Sequence, residues 1–232
     1  SFHPFIVRAF FTTFPNLHTY GYAQSTSPLR IQHNAFLNTP GLRTISITGT
    51  PLTNINNHAF QGASNLETLN LDSNQLTTIP QFAFGGLAGL LNINLSGNNI
   101  SLISDSALRQ QTLLQNFLIN LNSLTRIPGN LLLTNSQLFV FEANQNNVAE
   151  IGRRFLDPVP NLSVLGLSNN VCVNQNWNGI GVGGGPTKDD IRGHLNTCFN
   201  NYGGPTEMKE FYMELRGILR LFDYENNYIG SI

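Results

Sequence analysis

The feature that most limits how this chain can fold is a leucine recurring at a fixed interval through most of its length. Leu42, Leu66, Leu90, Leu114, Leu138 and Leu162 follow one another 24 residues apart. From Leu66 the chain reads LETLNLDSNQLTTIPQFAFGGLAG, and from Leu90 LLNINLSGNNISLISDSALRQQTL. A unit of that length cannot bury its own apolar face, so it becomes stable only by stacking on its neighbours. An irregular copy of 25 residues starts at Leu17 with Tyr20 and Tyr22 in leucine slots, and residues 5–16 read as the back half of one still earlier.

Both quoted segments match L-x-x-L-x-L-x-x-N-x-L, the signature of leucine-rich repeats, and each slot has a physical reason. The fourth and sixth residues (Leu69 and Leu71, Ile93 and Leu95, Phe117 and Ile119) point inward from a short strand, and those between point outward. The ninth is Asn74, Asn98, Asn122, Asn146 and Asn170. Here the chain leaves the sheet, and an amide that both donates and accepts can satisfy the buried backbone groups of adjacent turns. Thr50 takes that slot in the copy starting at Leu42, which predicts a looser turn without a break. The eleventh and fourteenth residues return to the core, as do Phe60 and Phe84 and the leucines at 108, 132 and 156 in a later slot. The fold class is therefore α/β, a leucine-rich-repeat solenoid with a parallel sheet on its concave face. Residues 1–171 form the solenoid (a partial copy over 1–16, copies from 17), 172–199 a helical C-terminal cap and 200–232 a tail.

A solenoid exposes its core at both ends and needs caps. Cys172 falls in the eleventh slot, where every copy from Leu42 onward carries an aliphatic residue. Residues 187–198 read as a helix, with Thr187 and Asp190 as a capping box and Ile191 and Leu195 one turn apart. Cys198 at its end can reach back to Cys172. A bond closing that loop is worth about 3.5 kcal/mol in the chain-entropy model and implies an oxidising compartment; two buried free thiols are the alternative. Trp177 is expected to cover the last coil, and residues 179–185 (GIGVGGG) to form a flexible loop. The N-terminal end opens mid-copy with Phe2, Phe5, Phe10, Phe11 and Phe14 and no cysteine. Its core is covered by a preceding portion of chain, by those rings, or by another chain. In the tail, residues 208–222 carry apolar side chains at heptad-like spacing, an amphipathic helix that docks on the cap or forms a dimer contact.

Composition excludes several functions. Charged residues are 11% of the chain and the net charge is −1, so no electrostatic footprint for nucleic acid or an anionic membrane is present. No apolar run approaches the ~20 residues of a membrane span. None of the five histidines sits in a ligand-pair spacing, no nucleophile elbow occurs, and no cofactor is implied. An enzyme is not expected.

Function is expected on the concave face, whose outward residues have no core duty. Asp72, Asn94, Asn116, Leu118, Asn120, Leu121, Val140, Glu142 and Asn144 make a polar, nearly uncharged surface around a small apolar centre. That chemistry suits a protein or glycan ligand and does not suit a polyanion. Asn94-Leu-Ser, Asn99-Ile-Ser and Asn161-Leu-Ser match the N-glycosylation sequon, and a glycan on Asn94 would mask part of the same face.

The 24-residue unit with Phe60 and Phe84 resembles the typical extracellular class of leucine-rich-repeat proteins over residues 17–171. The tail segments VCVNQNW and IRGHLNTCFNNY resemble the single-disulfide C-terminal caps of secreted insect leucine-rich-repeat proteins, mosquito immune factors among them. The resemblance implies a secreted recognition protein of innate immunity with a C-terminal segment used in assembly. The tail departs from those factors in lacking a long coiled coil, and lamprey variable lymphocyte receptors, which share the repeat, carry more cysteines. A cell-surface adhesion or receptor ectodomain and a self-associating extracellular structural protein are the alternatives.

Overall fold

Alternation of apolar and polar residues gives each copy one short strand in the main sheet, and the computed structural model stacks them as that alternation requires. It describes residues 5–6, 17–24, 26, 29–32, 35–37, 39–201, 220–222 and 228–231. In chain order the strands are β1 Phe5–Ile6, β2 Thr19–Ala23, β3 Arg30–Ile31, β4 Thr44–Thr48, β5 Thr68–Asn70, β6 Thr78–Ile79, β7 Asn92–Asn94 and β8 Leu102–Ile103. They continue with β9 Asn116–Leu118, β10 Arg126–Ile127, β11 Val140–Glu142, β12 Glu150–Ile151, β13 Val164–Gly166 and β14 Asn176–Asn178. Helices α1 Lys188–His194 and α2 Asn196–Asn201 and strands β15 Arg220–Phe222 and β16 Tyr228–Ser231 complete the set. One sheet runs β14-β13-β11-β9-β7-β5-β4-β2, parallel throughout except for β14. Its register follows the repeat: Thr68, Asn92, Asn116, Val140 and Val164 lie in one row. Shorter parallel pairs on the opposite side join β1 to β3, β6 to β8 and β10 to β12.

The core is a column of identical slots. Leu52, Leu76, Ile100, Leu124 and Val148 are buried in the eleventh slot, and Ile55 to Ile151 in the fourteenth. Phe36 and Phe60 stack with centroids 5.6 Å apart, so the irregular first copy still packs in phase.

The asparagine column works as its chemistry predicts. Asn98 Nδ2 donates to the carbonyls of Leu71, Leu95 and Ser96, while its Oδ1 accepts the Leu76 N–H at 3.0 Å. Asn122, Asn146 and Asn170 repeat this one copy further on. Thr50 is buried, and its N–H and hydroxyl both donate to Asn74 Oδ1, at 3.1 and 2.6 Å. The turn closes, but Thr has no second donor to reach the copy before it. A second polar column was not expected. Gln111 and Asn135 occupy a slot held elsewhere by Ala63, Leu87 and Val159, and their amides bond carbonyls of the preceding copy.

The cap imitates the copy that would come next. In interior copies the sixth-slot N–H donates to the following strand, as Leu95 does to Leu118 and Ala143 to Gly166. At the end, Leu167 N–H meets the Gln175 carbonyl and Asn176 Oδ1, and Asn169 N–H meets Asn174 Oδ1 at 2.7 Å. Strand β14 runs antiparallel across β13, placing the buried Trp177 opposite Leu165. Residues 179–185 are a series of hydrogen-bonded turns anchored by the buried Ile180, more ordered than a free loop. Cys172 and Cys198 form a disulfide with Cα atoms 5.2 Å apart. The helix expected over 187–198 is two helices broken at Leu195. The Leu195 N–H is shared between the Ile191 and Arg192 carbonyls, and the break turns Leu195, Cys198 and Phe199 together into the core. The capping box of Thr187 and Asp190 is present, and those bonds hold the Asp190 carboxyl below its ordinary range. Lys188 donates to the Val159 carbonyl at 2.6 Å, tying α1 to the last full copy, and burial lowers its ammonium pKa.

The tail corrects one expectation. Residues 220–222, the end of the amphipathic helix expected over 208–222, are strand β15, paired antiparallel with β16. The intervening DYENN is rich in turn formers between two apolar runs, a pattern that favours a hairpin over a continued helix. The rest of that segment, and Phe2, Phe10, Phe11 and Phe14, lie outside the described residues. Ile6 is buried and Phe5 exposed.

Candidate binding face

Parallel register decides which outward residues become neighbours. It places Asn116 beside Val140, and Leu118 between Asn94 and Glu142. These side chains are half-buried, covered by each other and open to the concave side. Lateral hydrogen bonds fix them. Asn116 Nδ2 donates to Asn92 Oδ1 at 2.6 Å, and Asn92 Nδ2 to Thr68 Oγ1 at 3.3 Å, forming a row across three copies. Asn120 Nδ2 donates to Glu142 Oε2 at 2.9 Å, while its Oδ1 accepts the Asn144 N–H. Asn144 Oδ1 in turn accepts the N–H and hydroxyl of Ser168. Gly166 leaves room for this arrangement, because a Cβ there would displace the Asn144 amide.

What remains unused is what a ligand could take. Among the described residues Asn94 Nδ2, Asn116 Oδ1, Glu142 Oε1 and Asn144 Nδ2 have no partner. They surround Leu118 and Val140. No cation pairs with Glu142 among the described residues. Fixed amides around an apolar centre lose little side-chain entropy on binding, which favours recognition.

Two of the expected residues are less central. Asp72 lies two strands from β9, beyond β7, with its carboxylate accepting from the Ser73 hydroxyl. Leu121 sits past the sheet in the eighth slot, exposed, with φ of +55°. Sequence reasoning missed Phe139, 51% exposed at the head of β11 beside Val140. The available signal was an aromatic in a slot filled elsewhere by Arg43, Glu67, Leu91, Gln115 and Ser163. Of the sequons, Asn99 is exposed on the flank beyond the sheet. Asn94 Oδ1 accepts the Ser96 N–H within the concave side, and Asn161 Nδ2 donates to the Ser136 carbonyl. Among the described residues no cluster of His, Cys, Asp or Glu is placed to hold a metal ion. No helix among them is long and apolar enough to cross a membrane.

The sequence profile described as the BspA type leucine rich repeat region matches six copies over residues 29–171. The chain belongs to this family. The match ends before Cys172, so the likeness of the cap to insect caps rests on the tail residues alone. No curated protein matches this BspA-type chain. Among solved structures it is similar to Toll-like receptor 13 in its complex with single-stranded RNA, at 24% identity and a TM-score of 0.62 over 67% of its length. It also aligns with Drosophila Toll bound to Spatzle at 16% identity and a TM-score of 0.46, over 71% of its length. It spans 22% of the first of those chains and 28% of the second. At that identity the first likeness shows the repeat fold alone.

Proposed function

We propose that this chain is the ligand-binding part of an extracellular recognition protein of innate immunity, docking a protein or glycan partner on the concave face of β7, β9 and β11. The observation that carries this reading is the change of chemistry in mid-sheet. A row of amides gives way to Leu118 and Val140, ringed by locked polar groups with unused hydrogen-bonding capacity. A core of apolar contacts with a satisfied polar rim is the anatomy of a protein interface. The disulfide supports an oxidising, extracellular location.

Toll-like receptor 13 is solved with RNA, but this concave face argues for a different ligand class. Its outward positions in the six copies from Leu42 hold no Lys or Arg and include Asp72 and Glu142, whereas RNA phosphates need cations. The test is pull-down from extracellular fluid with the chain and with a Leu118→Arg, Glu142→Arg variant. The reading expects a partner retained by the first and lost by the second, with the variant's circular dichroism unchanged. Undiminished capture by the variant, or capture of RNA, refutes it.

A further inference from the structure

We propose that the convex side carries a second site, a shallow slot over Phe82 that takes the face of a terminal acidic sugar. The seventeenth slot holds His58, then Phe82, then Ser106 in successive copies. The His58 and Phe82 rings stack with centroids 5.5 Å apart and planes 10° apart. Two local concessions place the imidazole there. His58 adopts a φ of +58°, a conformation unfavourable for a residue with a side chain. Residue 85 is glycine, and any Cβ on it would collide with the His58 ring.

The run of rings then stops. Ser106 offers only a hydroxymethyl group, turned to Asp105 at 3.0 Å. The second face of Phe82, which is 37% exposed, therefore opens on a hollow of about 30 Å³ between the two copies. Gly85, Ser106, Arg109 and Gln110 also line it, and His58 does not.

The lining sets the ligand class. The Arg109 side chain has no partner among the described residues; only its backbone is engaged, the N–H donating to the Ser106 carbonyl and the carbonyl accepting from the Thr134 hydroxyl. Gln110 accepts the Gly86 N–H through Oε1 at 3.3 Å, leaving its amide N–H groups free to donate. A hollow this small holds about two waters and cannot enclose a ligand. It can receive one ring face against Phe82 with donors along one rim. A pyranose presents an apolar C–H face and acceptors around its edge, and a carboxylate on it matches a guanidinium fork. A purely aromatic ligand would stack but leave Arg109 and Gln110 unanswered, so a terminal hexuronate fits best.

The test is titration of a glucuronate-terminated disaccharide, and of its neutral glucose-terminated counterpart, into the isotope-labelled chain, followed at the Gly85, Gly86 and Gln110 amides. Saturable shifts are expected with a Kd of about 1 mM, roughly tenfold weaker for the neutral sugar because only the acid pairs with the guanidinium. Arg109→Gln should abolish the preference for the acid. Ser106→Phe, which adds a third ring to the stack, should block both sugars, and Phe82→Ala should do the same by removing the floor. The Leu118→Arg, Glu142→Arg variant should bind the disaccharide normally, which separates this slot from the concave face. Absence of saturation overturns the proposal, as does unchanged binding in folded Ser106→Phe or Phe82→Ala.

Discussion

Replacing Asn98 by alanine isolates what the asparagine column contributes, because the bonds that vanish are not equally costly. Three of the four have a substitute. The Leu71 carbonyl keeps Asn74 Nδ2 at 2.9 Å, the Leu95 carbonyl keeps Asn122 Nδ2 at 3.0 Å, and the Ser96 carbonyl keeps the Ser73 N–H at 2.9 Å. The Leu76 N–H has only Asn98 Oδ1, in a slot sealed from water. The loss is therefore one orphaned buried donor, about 2 kcal/mol within a range of roughly 1–3. For a protein of this size that lowers Tm by about 4–8 °C. Asn98→Asp is the decisive companion. It keeps an acceptor for Leu76 but turns a carboxylate oxygen toward the carbonyls of Leu71 and Leu95, where the amide donated. Burial and those carbonyls raise its folded pKa above the ~3.9 of the unfolded chain. The penalty is thus full above the folded pKa and recedes as pH falls toward about 4. Urea and thermal unfolding at pH 7 should rank wild type above Ala and Ala above Asp. An Asp variant more stable than Ala at pH 7, or an Ala variant within about 0.5 kcal/mol of wild type, would refute the assignment of the cost to the Leu76 N–H.

Three further outcomes follow from single residues. Asn135 Oδ1 is buried without a partner, and the Leu108 and Gln111 carbonyls it bonds also accept backbone N–H groups, so Asn135→Leu should raise stability by about 1 kcal/mol in thermal denaturation. Leu121 is exposed at φ +55°, so Leu121→Gly should stabilise the fold by about 1 kcal/mol in urea unfolding; a loss of stability would show that its side chain packs. In chain secreted from eukaryotic cells, peptide mass spectrometry before and after glycan removal should find Asn99 modified and Asn94 bare, since the Asn99 side chain is exposed while Asn94 is half-buried within the concave sheet, its orientation fixed by the bond from the Ser96 N–H to its Oδ1. An occupied Asn94 would contradict that geometry.

Periodicity carried far because each repeat slot meets the same surroundings in every copy. The inward leucines, the asparagine column and the core position converted to Cys172 were therefore legible. What escaped depends on one copy meeting another at a single place. Asn120 reaching Glu142, or Asn144 reaching Ser168, requires a particular pair of adjacent side chains, and no repeat rule supplies it. The second polar column was hidden because Gln111 and Asn135 look like surface residues until the stacking buries them. Strand β14 was invisible because NWN alternates over only three residues, too few to mark a strand. Its pairing is dictated by the open edge of β13. The break at Leu195 was missed because apolar spacing alone does not show where a helix must bend to bring Cys198 to Cys172.

The reversed direction of β14 has a bearing on how such a chain can change in length. A parallel edge invites one more identical unit, and an antiparallel strand does not present the register that a further 24-residue copy would need. With Asn174 and Asn176 already answering the last N–H groups, the array is closed to growth at this end. Duplication inside the run is not blocked in this way, because there the asparagine column links a new copy to both neighbours. An in-frame copy inserted between Leu90 and Leu114 should therefore fold, whereas the same copy placed after residue 178 would have no strand to continue.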